Sequence, residues 1–232
     1  MSEIPGGPMA NRPVHFIWLL DTSYSMLGEK IGQLNYAIRE AIPEMQAVAR
    51  DNPAAQLLLR TITFSTTARW HHKDPVEVDA FTWQDVAPDG TTNLGEALHL
   101  VAGELQTPPM PERALKPVIA LVSDGAPTDD WRAGLRAIEA TPWGRKAVRV
   151  AIAIGSDADR GVLQEFLANP ELRPLDANSP KQLAAAIRWA STAAVKAASQ
   201  PVAGGNGPGD GPTKPAAPYA PPVLGTDDDD VW

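Results

Sequence analysis

Asp21, Ser23 and Ser25 stand at alternate positions in Asp21-Thr22-Ser23-Tyr24-Ser25, and two further oxygen-bearing side chains, Thr92 and Asp124, follow at long intervals. Two carboxylates and three hydroxyls form an all-oxygen donor set, which suits a hard cation: Mg²⁺ first, with Mn²⁺ or Ca²⁺ as alternatives. Neutral hydroxyls would bond such an ion directly, and the carboxylates could act through bound water. An ion left short of anionic ligands stays electrophilic and attracts a carboxylate from outside. Asp124 lies in Ser123-Asp124-Gly125, where glycine permits a tight turn. Thr92 lies in Gly90-Thr91-Thr92-Asn93, a turn ahead of a helix. Each piece alone is unspecific, since Ser or Thr after a strand usually caps a helix and Ser-Asp-Gly is normally just a turn. Their order, each piece on a compatible element, is what favours a metal site.

Positioning these side chains requires strands that end beside one another. Residues 15–20 (HFIWLL) form a nearly continuous apolar run, the pattern of a strand buried on both faces of a parallel sheet. Residues 56–65 (QLLLRTITFS), 117–123 (PVIALVS) and 147–155 (AVRVAIAIG) read as further strands, and 66–87, with Pro75, as an edge strand plus loop. Helices are expected over 30–50, with Ile31, Leu34, Ala37, Ile38, Ala41, Ile42 and Met45 on one face and a kink at Pro43. Others are expected over 94–105, 129–141 and from Pro180 to about residue 199. Ser179 would cap this last helix, Pro180 take its first position and Gln182 complete a capping box. Alternating strands and helices predict an α/β fold with a doubly wound, mostly parallel central sheet flanked by helices. In such sheets ligands bind in the crevice outside the carboxyl ends of the strands, where Asp21, Thr92 and Asp124 fall.

The chain has 232 residues and a net charge of −8, half of it after Ser199, where Asp210 and Asp227 to Asp230 outweigh Lys214. No basic footprint for nucleic acid is present. Cysteine is absent, which excludes thiolate metal sites, thiol nucleophiles and disulfides. No apolar run approaches a membrane span, and residues 1–12 lack the layout of a secretory signal. The organisation expected is a flexible N-terminus over 1–11, one domain over 12–199, and a disordered Pro/Gly-rich linker with an acidic tail over 200–232.

Asp21-Thr22-Ser23-Tyr24-Ser25-Met26, then Gly90-Thr91-Thr92-Asn93-Leu94-Gly95-Glu96-Ala97-Leu98, then Ser123-Asp124-Gly125, resembles a von Willebrand factor A domain, a family with a Rossmann-like sheet and a metal-ion-dependent adhesion site. The resemblance implies that Asp21, Ser23, Ser25, Thr92 and Asp124 are the metal residues. Thr92 is preferred to Thr91 because the family's threonine stands two residues after the glycine. The compact form, with Pro127-Thr128-Asp129 after the last aspartate, is similar to bacterial tellurite-resistance-type (TerY-like) members, thought to be cytoplasmic and associated with kinase and phosphatase genes. The function implied is a non-enzymatic, cytoplasmic module, a scaffold or regulator, that binds an acidic residue of a partner protein through a divalent cation. The partner could be a kinase, a phosphatase or an AAA+ ATPase to which the chain is an accessory subunit.

One rival is a Mg²⁺-dependent hydrolase or phosphatase with Asp21 as nucleophile. Ser23 occupies the position where haloacid-dehalogenase-type phosphatases require an acid/base carboxylate, and no well-placed lysine or histidine follows Asp124. A dinucleotide-binding module would need a glycine-rich turn after the first strand, which is missing. Three lesser features complete the reading. His71 and His72, adjacent on a strand, should point to opposite faces and not share an ion. Trp131 is a candidate partner contact near Asp124, with edge packing as the alternative. Asp227 to Asp230 beside Val231-Trp232 could dock a partner or supply a carboxylate to the metal site.

Overall fold

The computed structural model describes residues 11–52 and 55–199. The expectations for residues 1–10 and 200–232 therefore fall outside the described residues. The sheet has six strands in the order β3-β2-β1-β4-β5-β6. These are β1 (Arg12–Asp21), β2 (Ala55–Phe64), β3 (Ala68–Glu77), β4 (Val118–Ser123), β5 (Val148–Ile154) and β6 (Leu175–Ala177). All neighbours pair parallel except β2 and β3, which form an antiparallel edge. Among the described residues five α-helices flank the sheet: α1 (Glu29–Arg50), α2 (Leu94–Glu104), α3 (Trp131–Ala140) and α4 (Arg160–Leu167) lie between strands, and α5 (Pro180–Ser199) follows β6.

Alternation along the buried strands divides the core in two. Val14, Phe16, Trp18 and Leu20 of β1, with Val118, Ala120 and Val122 of β4, pack against α1 and α5. Ile17, Leu19, Ile119 and Leu121 face α2, α3 and α4. The centres of these strands, Phe16–Leu20 and Val118–Val122, are apolar on both sides because both faces of the sheet are covered. The two covers make the sheet doubly wound, as expected. Helices α2 and α3 meet at two glycines: a Cβ on Gly134 would stand 2.7 Å from Leu98 Cβ and 2.8 Å from the Gly95 carbonyl.

Several local expectations change. Helix α1 runs unbroken through Pro43, which has no N–H to donate to the Arg39 carbonyl. Ser179 caps α5 by accepting from Gln182 N at 3.3 Å, but Gln182 Oε1 accepts from Asn178 N (2.8 Å), one residue before the cap. Helix α4 and strand β6 were not anticipated. The helix had a signal, since Asp159 Oδ1 caps it by accepting from Gly161 N (3.0 Å) and Val162 N (3.1 Å). The strand is three residues long and exists through its pairing with β5.

His71 and His72 do not point apart. The β2–β3 register sets Thr61 opposite His72 and Ile62 opposite Trp70, leaving His71 as an extra residue. A bulge of this kind breaks alternation. The two rings meet edge to face at 4.6 Å, and both lie against Trp83.

Candidate metal centre

In the strand order 3-2-1-4-5-6 the chain leaves β1 toward one side of the sheet and later returns to build β4 on the other. The crevice this reversal opens lies above the β1–β4 pair, the usual ligand position in open parallel sheets. Asp21 is the last residue of β1, and Ser123 the last of β4, with Asp124 directly after it. Ser23 and Ser25 follow β1 on a short 3₁₀ turn over Tyr24–Met26. Thr92 comes from the loop before α2. Backbone hydrogen bonds tie these loops together: Tyr24 N donates to Gly90 O (3.0 Å), Asp89 N to Thr22 O (2.7 Å) and Asn93 N to Ser65 O (2.8 Å). Gly90 turns with φ +64°, and a Cβ there would strike Thr66, so the loop needs glycine at that point.

The side chains converge. Ser23 Oγ and Ser25 Oγ are 2.8 Å apart, and Ser25 Oγ donates to Asp124 Oδ1 at 2.6 Å. Asp21 accepts from Ser23 N on Oδ1 (2.9 Å) and from Ser123 Oγ on Oδ2 (2.5 Å). A Cβ on Gly125 would lie 3.4 Å from Ser25 Oγ and 3.5 Å from Thr92 Oγ1, so both hydroxyls border the same small space. Gly125 does not adopt a positive φ, so its value here is room, not the turn freedom expected from the sequence. Asp21, Ser23, Thr92 and Asp124 are all buried. The structure thus brings all five residues of the predicted set together.

The electrostatics favour a cation. Asp21 is pushed up to about 6, first by loss of water and also by Asp124, while hydrogen bonds from Ser123 and Ser23 act in the opposite direction. A buried carboxylate raised in this way gains from a positive charge brought close. The residues present fit a small oxygen-seeking divalent ion, with two carboxylates, three hydroxyls and a glycine-lined gap.

Sequence reading missed three contributors. Ser123 donates to the buried Asp21. Lys30 Nζ donates to Asp124 Oδ2 at 2.7 Å and stands 3.7 Å from Asp157 Oδ1. A lysine is therefore well placed beside Asp124, though it comes from α1 and not from the segment after Asp124. Its signal was its position: a cation in the first turn of a helix opposes the helix dipole and calls for a local anion. Tyr24 (62% exposed) and Leu27 (67%) form an apolar rim beside the motif. Trp131, by contrast, is buried against α2 and α3 under the Arg132 guanidinium, so it is edge packing and not a free contact surface.

No family model matches this sequence, and no curated protein matches it. Solved structures do. The ArnB paralog VWA2 from Sulfolobus acidocaldarius is 19% identical with a TM-score of 0.54, over 75% of this chain and 43% of that one. A von Willebrand factor type A protein from Catenulispora acidiphila is 17% identical with a TM-score of 0.57, over 80% and 43%. The pilus adhesin SpaC from Lactobacillus rhamnosus GG, in its open conformation, is 15% identical with a TM-score of 0.65, over 81% and 30%. This chain therefore spans less than half the length of each of these proteins. At such identities the likeness shows the fold, which is that of a von Willebrand factor A domain.

Proposed function

We propose that this domain is a non-enzymatic protein-interaction module that engages an acidic residue of a partner protein through a divalent cation, Mg²⁺ by preference. The observation that carries this reading is the convergence of Asp21, Ser23, Ser25, Thr92 and Asp124 at the β1–β4 crevice, with Asp21 buried and its carboxyl raised. These five side chains would hold the ion, and the ion would supply an electrophilic position for a carboxylate from outside. Ser123 and the Ser23 amide orient Asp21; Ser25 and Lys30 orient Asp124. Tyr24 and Leu27 offer apolar contact at the rim, which suits an acidic residue flanked by apolar ones.

The proposed setting is cytoplasmic, which a cysteine-free composition suits. Among the described residues no helix is long and apolar enough to cross a membrane. A tellurite-resistance-type stress system fits the motif resemblance, with a kinase, phosphatase or AAA+ ATPase as partner. Asp227 to Asp230 with Val231-Trp232 would form a second docking element for a partner, or for the metal site itself.

Calorimetric Mg²⁺ titration and affinity capture with Mg²⁺ or with chelator test this, using wild type, Asp21→Ala and Asp124→Ala. Metal binding and metal-dependent capture by wild type, lost in both variants with the core still folded, is the expected result. Equal partner affinity in chelator and in the variants would sink the bridging mechanism.

One observation favours a second reading. Lys30 beside Asp124 gives a hydrolase a cation that was not visible in the chain order. Ser23 still stands where the acid/base carboxylate of such a phosphatase would be needed. Turnover of a generic phosphate ester, abolished in Asp21→Asn, would establish this reading in place of the first.

A further inference from the structure

Lys30 is seated with care. Its ammonium donates to Asp124 Oδ2 at 2.7 Å and lies 3.7 Å from Asp157 Oδ1. Asp124 is fully enclosed, whereas the Asp157 side chain is 72% exposed. The floor of the seat is Gly155, at φ +82°, where a Cβ would come 3.4 Å from Lys30 Nζ, 3.5 Å from Cε and 2.8 Å from Asp157 Oδ1. A side chain there would displace Asp157 and sit in contact with the lysine. The two oxygens of Asp124 are divided, Oδ1 to Ser25 and the five-residue cluster, Oδ2 to Lys30. A positive charge fixed on a carboxylate reduces what that carboxylate offers to a second cation.

We propose that Lys30 is a tethered cation that shares Asp124 with the divalent site and weakens its hold on free cations, with Asp157 as the lysine's alternative seat. The proposal rests on the metal-dependent reading above. In chemical terms, Asp21, Asp124 and Lys30 together carry a single negative charge, too little to bind a divalent ion tightly from solution. A carboxylate arriving from a partner restores the missing charge, so ion and partner load together. Lys30 is in this sense a positioning and affinity-setting residue. Asp157 draws the ammonium outward, away from Asp124, and so favours the ion.

The test is Mg²⁺ affinity by isothermal titration calorimetry on the full chain, for wild type, Lys30→Met, Asp157→Asn and the double variant. Thermal unfolding in chelator and in Mg²⁺ is the second readout. Lys30→Met is expected to bind Mg²⁺ roughly tenfold tighter, the scale of one charged hydrogen bond removed from competition. It should also melt lower in chelator and gain more from Mg²⁺ than wild type. Asp157→Asn should bind roughly threefold more weakly, an estimate smaller than the first because Asp157 is exposed. In the Lys30→Met background it should have no effect, because its influence passes through the lysine. Should Lys30→Met fail to fold, Lys30→Gln and the Asp157→Asn comparison carry the same question. Tighter binding by Lys30→Met together with weaker binding by Asp157→Asn, the latter effect lost in the double variant, supports the proposal. Equal or weaker binding by Lys30→Met overturns it while leaving the metal reading intact. Absence of Mg²⁺ binding in every protein overturns both.

Discussion

Asp21→Asn should make the domain more stable in chelator at neutral pH. Asp21 is fully buried, and its carboxyl is raised from 3.8 to about 6 by burial above all. Between those two values the folded chain keeps the proton and the unfolded chain has lost it. Stability therefore falls as pH rises across the window and stays reduced above it. The gap is a little over two pH units, so the ionised carboxylate costs about 3 kcal/mol above pH 7. Asparagine is neutral throughout. Its oxygen can accept from Ser23 N, and its amide can donate to Ser123 Oγ, the two groups that now hold Asp21. Urea denaturation of both proteins in chelator, stepped from pH 4 to pH 8, reads the difference directly. Groups shared by the two proteins, including His15, cancel in it. The variant's advantage is expected to be under about 1 kcal/mol at pH 4 and to reach about 3 kcal/mol above pH 7. Mg²⁺ should then raise the wild type by mass action and leave the variant unchanged. An advantage that does not vary with pH, or a variant less stable than wild type at pH 7.5, would mean that burial does not destabilise the ionised Asp21.

Two further outcomes follow from the packing. His15 is buried with both ring nitrogens unpartnered, and burial, then Arg60, lowers it to about 4. The unfolded chain takes up a proton between pH 6.5 and 4 that the folded chain refuses, so about 3 kcal/mol of stability is lost as pH falls through that window. His15→Leu should remove this acid sensitivity, gaining more at pH 5 than at pH 8 in the same denaturation experiment. Gly134→Ala should cost about 1–3 kcal/mol, because its Cβ meets Leu98 and the Gly95 carbonyl where α2 and α3 cross; a shift in urea midpoint without a change in slope would show this.

Much of the fold could be read from the chain because the signals were local. Nearly continuous apolar runs marked β1 and β4, since the middle of a strand covered on both faces has little room for a polar side. The three-to-four spacing of Ile31, Leu34, Ala37, Ile38, Ala41 and Met45 marked α1, and these side chains are buried. Ile42, expected among them, is only partly so. Strand β6 gave little signal of its own because three residues carry no periodicity. The bulge at His71 was invisible because alternation assumes an unbroken ladder. Helix α4 was legible and was overlooked: Asp159 precedes Val162, Leu163, Phe166 and Leu167 at helical spacing.

The candidate site divides along the same line. Residue types, their order and the family resemblance nominated Asp21, Ser23, Ser25, Thr92 and Asp124, each at a strand end or in a turn, and the fold sets them at one end of the β1–β4 pair. What surrounds those residues depended on long-range closure. Lys30 and Asp124 are 94 positions apart, and Ser123 and Asp21 are 102 apart; each pair is made adjacent by the crossovers that set β4 beside β1. Burial is likewise a property of the assembled layers, and burial raises the Asp21 carboxyl, encloses Asp124 and hides Trp131. The chain by itself supplied the oxygen-bearing side chains and their local turns. Packing set their burial, their hydrogen-bond partners and the Lys30 ammonium beside Asp124, because solvent exclusion and charge proximity arise only when distant segments pack.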